Sequence, residues 1–194
     1  MDITINIILF GKVQADLDSF LLENIKNFFF KHQLLVNFKV SYEKQLMDEK
    51  DKERKQFPSG AYLRLLNRLK PRGDAIFMLG IIPGDLYSDT KSGLNFIFGE
   101  AERNNYSCII STFRLYPGFY GFKFNKELFF ERILKEALHE LCHVIAGLGH
   151  CNDQLCIMHF SNTIHDTDLK YMKLCKDCSK KMKLGIKKRF EDYS

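Results

Sequence analysis

The stretch HELCHVIAGLGHC, residues 139–151, constrains the chain more than any other part of it. Residues four apart on an α-helix share a face one turn apart, so His139 and His143 can present two imidazoles to a single point. Gly147 and Gly149 then allow an abrupt helix stop and a return of the chain, which brings His150 back toward that point. Cys151 follows at once, so whatever the cysteines do is tied to the end of this helix.

Catalytic zinc takes three protein ligands and keeps one position open, and His139, His143 and His150 supply three imidazoles. Glu140 lies beside the first of them, where a carboxylate can take a proton from a water acidified by the ion and pass it to a leaving amine. Cys151 and Cys156, in C-x4-C spacing, are followed by Met158, and Cys175 and Cys178 form C-x2-C. Two such pairs fit tetrahedral thiolate binding of a structural zinc. Cys108, in a strand, and Cys142, inside the helix motif, are expected to be buried thiols.

Ahead of that helix the chain alternates. DITINIILF reads as a strand, and Leu17, Phe20, Leu21, Ile25 and Phe28 then recur at helical spacing. LLVNFKVSYE is a second strand, followed by a highly charged connection from 44 to 60 that should be exposed. AYLRLLNRLK should be a helix stopped by Pro71, and DAIFMLGII a third strand. LNFIFGEAE and YSCIISTFRLY follow as strands, and NKELFFERILKEALHELCHVIAG as one long helix. This order predicts an α/β fold, a mixed and mainly parallel sheet carrying helices. Past Gly147 the sequence is cysteine-rich and short of apolar periodicity, which predicts a small subdomain held by a metal. The expectation is one unit over residues 1–194, divided into 1–147 and 148–194.

At 194 residues there is room for one compact domain but not for two separate enzymatic ones. No charge-free apolar run is long enough to span a bilayer, and the opening MDITINIILF lacks the basic stretch of a signal peptide. A cytoplasmic setting without membrane contact is expected, where six cysteines serve as thiols or ligands rather than disulfides. The net charge of +5 is concentrated in the tail KDCSKKMKLGIKKRF, read as a solvated helix face.

The string of HExxH, late histidine, C-x4-C-x-M and C-x2-C resembles the archaemetzincin family of zinc metallopeptidases. DLYSDTKSGLNFIFGEAE and STFRLYPGFYG look like that family's central strands, and the resemblance covers roughly residues 72 to 178. It implies a metzincin-like twisted sheet with an active-site helix and a zinc-stabilised C-terminal subdomain. It also implies two zinc ions: a catalytic one on His139, His143 and His150 with Glu140 as general base, and a structural one on Cys151, Cys156, Cys175 and Cys178. Met158 would be the methionine of the Met-turn, an apolar floor under the zinc. The strand NFIFGEA would form the upper rim of a cleft for a peptide or protein substrate.

The spacing departs from the family in one respect. His143 and His150 are seven residues apart where the family has six, with Ala146 at the position expected for glycine. One extra helical residue rotates the downstream chain by about 100°, so a bulge in the last turn, or a wider turn on Gly147 and Gly149, has to absorb it. Phe160 stands where some metzincins carry a tyrosine, and a phenyl ring cannot donate a hydrogen bond. His159 is a candidate helper for a developing oxyanion or a packing residue; His165, Asp166 and Asp168 are expected to cap or to be solvated. The competing reading is a zinc-knuckle module that binds an acidic partner through the basic tail, with an inactive histidine site. It needs neither Glu140 nor Met158, and the tail has no aromatic stacking platform beside it, so nucleic acid is not an expected partner. The sequence sets no oligomeric state.

Overall fold

A computed structural model describes residues 2–46, 49–71, 76–90 and 93–191. The strands are β1 (Asp2–Phe10), β2 (Leu35–Glu43), β3 (Phe57–Pro58), β4 (Ile76–Ile82), β5 (Leu86–Tyr87), β6 (Gly99–Glu102) and β7 (Ser107–Ser111). Five of them form one sheet in the order β2-β1-β4-β7-β6, and β3 pairs with β5 apart from it. Every pairing in the main sheet is parallel except that of β6, the edge strand, which runs antiparallel to β7. Alternation along β1 sends Ile3, Ile5, Ile7 and Leu9 into one core and Ile8 and Phe10 into another.

Helices cover both faces. The larger core lies under α1 (Leu17–Phe30) and α3 (Lys126–Ala146), while α2 (Ser59–Leu69) covers the opposite face through Tyr62, Leu63 and Leu66. All positions of α3 from Arg132 to Ala146 are buried. The sheet lies on one side of this helix, and the C-terminal elements α4 (Ile164–Leu169) and α5 (Lys176–Glu191) pack on it as well. No helix among the described residues is long and apolar enough to cross a membrane.

The expected elements appear with three differences. Within the charged connection Phe57 and Pro58 are buried, because Gln56 donates from Nε2 to Asp85 Oδ2 (3.0 Å) and to the Asn95 carbonyl (3.0 Å). LNFIFGEAE is paired as a strand only from Gly99, with Ile97 making one bridge to Leu86 and Phe98 sunk in the core. YSCIISTFRLY is a strand only over Ser107–Ser111, after which the chain turns into a short 3-10 helix at Pro117–Tyr120. Asp74 and Ala75, the start of the expected third strand, lie outside the described residues.

The tail is a helix with its lysines in solvent, and Cys178, Met182 and Ile186 at four-residue spacing form its buried face. Met182 and Ile186 join the same core as α1 and α3, so apolar packing ties this segment down. Met182→Ala should therefore cost the full chain about 2–5 kcal/mol, read as a lowered midpoint of chemical denaturation; an unchanged midpoint would make the tail peripheral to the core.

Candidate metal centre

Asn125 opens α3 by accepting the Leu128 amide on its side chain (3.0 Å), and the helix runs without a break to Ala146. Gly147 then adopts φ 67°, the left-handed conformation that glycine takes without steric cost. Its amide reaches the His143 carbonyl (3.1 Å), and the Leu148 amide reaches back to the Cys142 carbonyl (3.4 Å). The seven residues from His143 to His150 are thus spanned by a wide turn after a regular helix end, with no bulge in the helix. Gly149 is not among the residues with positive φ.

That turn aims the Leu148 carbonyl back at His143. His143 Nδ1 lies 2.6 Å from Leu148 O, and His139 Nδ1 lies 2.8 Å from Ile157 O. A carbonyl only accepts, so each Nδ1 carries a proton, and in the neutral imidazole Nε2 then keeps its lone pair. Arg103 donates to the same Leu148 carbonyl (2.8 Å) and lies farther from His143 Nδ1 (3.3 Å), which leaves that assignment standing. The two Nε2 atoms are 3.0 Å apart. Two lone pairs at that separation repel unless a cation lies between them. Burial, followed by the charge of Lys170, holds His139 well below the usual histidine range and so keeps it neutral.

The third imidazole completes the group. The His150 ring centroid is 5.3 Å from that of His139 and 5.0 Å from that of His143, and one ligand atom from each residue falls within 4.8 Å of the others. Phe160 packs against His150 at 4.9 Å. The donor set is three imidazoles, which suits zinc.

Cys151, Cys156, Cys175 and Cys178 also bring their sulfurs within 4.8 Å of one another. Cys151 Sγ and Cys175 Sγ are 3.8 Å apart, close to the edge of about 3.8 Å of a tetrahedron with metal–sulfur bonds of roughly 2.3 Å. Backbone amides aim at these sulfurs: Cys175 N donates to Cys156 Sγ (3.3 Å) and Cys178 N to Cys175 Sγ (3.4 Å). Burial pushes Cys156 up to about 11. Burial also raises Cys175, but amide and thiol hydrogen bonds outweigh it and leave that thiol below its ordinary value. Cys108 and Cys142 are buried away from this cluster, and burial raises both.

The histidines open onto a cleft of about 490 Å³ that runs beneath β6. Glu140 lines it and is 5% exposed. It fits there because Gly99 has no side chain: a Cβ on Gly99 would lie 2.8 Å from Glu140 Cγ and 2.8 Å from Glu140 Oε1. On its other face β6 is clamped through Glu100, which accepts from Ser88 Oγ (3.1 Å), from Thr90 Oγ1 (2.9 Å) and from Ser59 Oγ. Met158 is fully buried in the core next to Ile157.

The remaining polar candidates make local contacts or face solvent. Asp166 forms a capping box with Thr163 at the start of α4, and Asp168 makes a two-pronged ion pair with Arg132 of α3 (2.7 Å each). His165 is exposed, and His159 Nδ1 bonds the Cys151 carbonyl (2.9 Å) beside the bridge pairing those two residues. Sequence reasoning missed Gly99, Arg103 and the buried pair of Lys170 with Glu136 (3.1 Å). Only Gly99 lay in a stretch already assigned to the cleft; Arg103 and Lys170 sit among other charged residues that offer no local signal.

A model of peptidase family M54 matches residues 51–184. The archaemetzincin of Pyrococcus furiosus is 42% identical over 173 residues, covering 89% of this chain and 88% of that one. The archaemetzincin of Pyrococcus abyssi is 37% identical over 185 residues, covering 95% and 96%. The crystal structure of archaemetzincin from Methanopyrus kandleri superposes with a TM-score of 0.81 at 29% identity, over 95% of this chain and 96% of that one. That of the Archaeoglobus fulgidus protein gives 0.72 at 30% identity, over 92% and 99%. The matched region takes in the rim strand, the histidine helix and the cysteine cluster together, and the chain belongs to peptidase family M54, the archaemetzincins, as a zinc-dependent metallopeptidase acting on peptides or proteins.

Proposed function

We propose that His139, His143 and His150 hold the catalytic zinc of this peptidase, that Glu140 is its general base, and that Cys151, Cys156, Cys175 and Cys178 hold a second, structural zinc. The observation that carries the reading is the pair of Nε2 atoms 3.0 Å apart with both Nδ1 protons committed to carbonyls. Zinc bound there supplies Lewis acidity that polarises the scissile carbonyl and acidifies a water. Glu140, confined by Gly99, takes the proton from the attacking water and passes it to the leaving amine. The edge strand β6 pairs through its outer backbone edge with an extended peptide. Phe160 packs on His150 and Met158 forms the apolar floor. Ser161 Oγ, in the cleft lining, is buried with no hydrogen-bond partner among the described residues and is available to the bound peptide.

In this reading residues 1–147 supply the rim and the base, and residues 148–194 supply the third histidine and the structural site, within one unit. The six cysteines, two as buried thiols and four as ligands with no disulfide among them, support a reducing, cytoplasmic setting. The zinc-knuckle alternative is set aside, since the family is one of peptidases, and we assign no nucleic-acid partner.

Elemental analysis tests the sites directly. The wild-type chain should hold two zinc ions, with His150→Ala and Cys175→Ala each losing a different one. A single ion, lost only in the cysteine variant, would show that the lengthened turn does not complete the histidine site. Glu140→Gln should keep both ions and lower kcat by about two to four orders of magnitude. Gly99→Ala should also keep both ions while lowering kcat by roughly tenfold to a hundredfold, because its methyl group displaces the Glu140 side chain. Full activity in Gly99→Ala would mean that Glu140 does not work from this position.

A further inference from the structure

We propose that a second binding site, separate from the histidine cleft, lies at the carboxyl ends of β1, β4 and β7 and takes a flat aromatic ligand bearing one negative charge. The topology places it. From β1 the chain passes through α1 to β2 on one side, and it then reaches β4 on the other side of β1 through α2. From β4 the chain instead runs by β5 and β6 to β7, on the side away from β1, so the connections leaving the adjacent strands β1 and β4 diverge and open a crevice at the strand ends. Open α/β sheets bind ligands at such a switch point. Here the crevice is a cavity of about 400 Å³, bounded by Lys12 and Leu17 after β1, Pro83 after β4 and Thr112 after β7. Its size is that of a small-molecule site.

The walls set the ligand class. Two edge-to-face aromatic pairs line the cavity, Phe113 with Phe119 (5.4 Å, 64°) and Tyr116 with Phe129 (5.6 Å, 80°). Phe113, Tyr116 and Phe119 are 41%, 41% and 43% exposed, a grouping of rings in water that marks a binding surface. The wall is held in place from behind. The Arg114 guanidinium lies 5.1 Å from the Phe119 ring centre and bonds both oxygens of Asp85 (2.8 and 2.7 Å), while Tyr120 OH donates to the Arg114 carbonyl (2.9 Å). Among the described residues Lys12 is the one charged side chain in the lining, and Asp16 nearby is neutralised by Lys126 (2.8 Å). An anionic group is therefore attracted at the mouth and meets no unpaired carboxylate in the lining. Phe129 precedes His139 by ten residues on α3, about 15 Å along the helix, and the two cavities share no lining residue.

The probe is 8-anilinonaphthalene-1-sulfonate, which combines aromatic rings with a single sulfonate. Titrated into the zinc-loaded full chain and followed by its fluorescence, it should fill one saturable site per chain. Lys12→Glu and Phe119→Ser alter exposed side chains, so both variants should fold, as near-UV circular dichroism will verify. Each should weaken the dye by about tenfold and leave peptide hydrolysis unchanged. Absence of saturable binding, wild-type affinity retained in both variants, or displacement of the dye by saturating peptide substrate would overturn the proposal.

Discussion

Two carbonyl oxygens, those of Leu148 and Ile157, govern how this molecule is put together. Each takes the Nδ1 proton of a helix histidine, and both belong to the segment that succeeds the helix. Their hydrogen bonds orient the imidazoles and leave both Nε2 atoms facing the same point. They also dock the C-terminal segment onto α3 beside the turn that carries His150. The seven residues from His143 to His150 are spanned by the wide turn at Gly147, which presents the Leu148 carbonyl to His143, with Arg103 of the rim donating to the same oxygen.

Buried charge holds the same two segments together farther along the helix. Arg132 reaches Asp168, and Glu136 accepts from both Lys170 and Thr167 (3.1 and 3.0 Å). Pairs of this kind give little net stability over apolar packing, but a partner left alone in the interior is costly, so they enforce one register between α3 and α4. Apolar contacts from Met182 and Ile186 complete the attachment. Three separate kinds of interaction therefore position one histidine-bearing turn.

The opposite wall of the cleft depends on a different device. An edge strand is ordinarily free to twist or to pair with a neighbouring chain, but Glu100 fixes β6 from behind through three hydroxyl groups. Its front face is kept bare by Gly99, so Glu140 can lie close against the strand. The histidine-bearing helix and the edge strand that lines the cleft are thus brought together at the position of one missing side chain.

Much of this was legible in the sequence. HExxH, the two cysteine pairs and the β and α periodicities are local patterns, and local spacing alone decides which helix face carries His139 and His143 or which thiols lie close together. The strand assignments failed at their ends: Phe96, Ile97 and Phe98 have strand-like composition, yet only from Gly99 does β7 offer a continuous partner. Tertiary structure alone decided the contribution of Arg103, the burial of Lys170 with Glu136, the value of an absent side chain at Gly99, and the aromatic cavity at the switch point. Each of these arises between residues far apart in the chain, where the partner, and not the residue itself, determines what the side chain does.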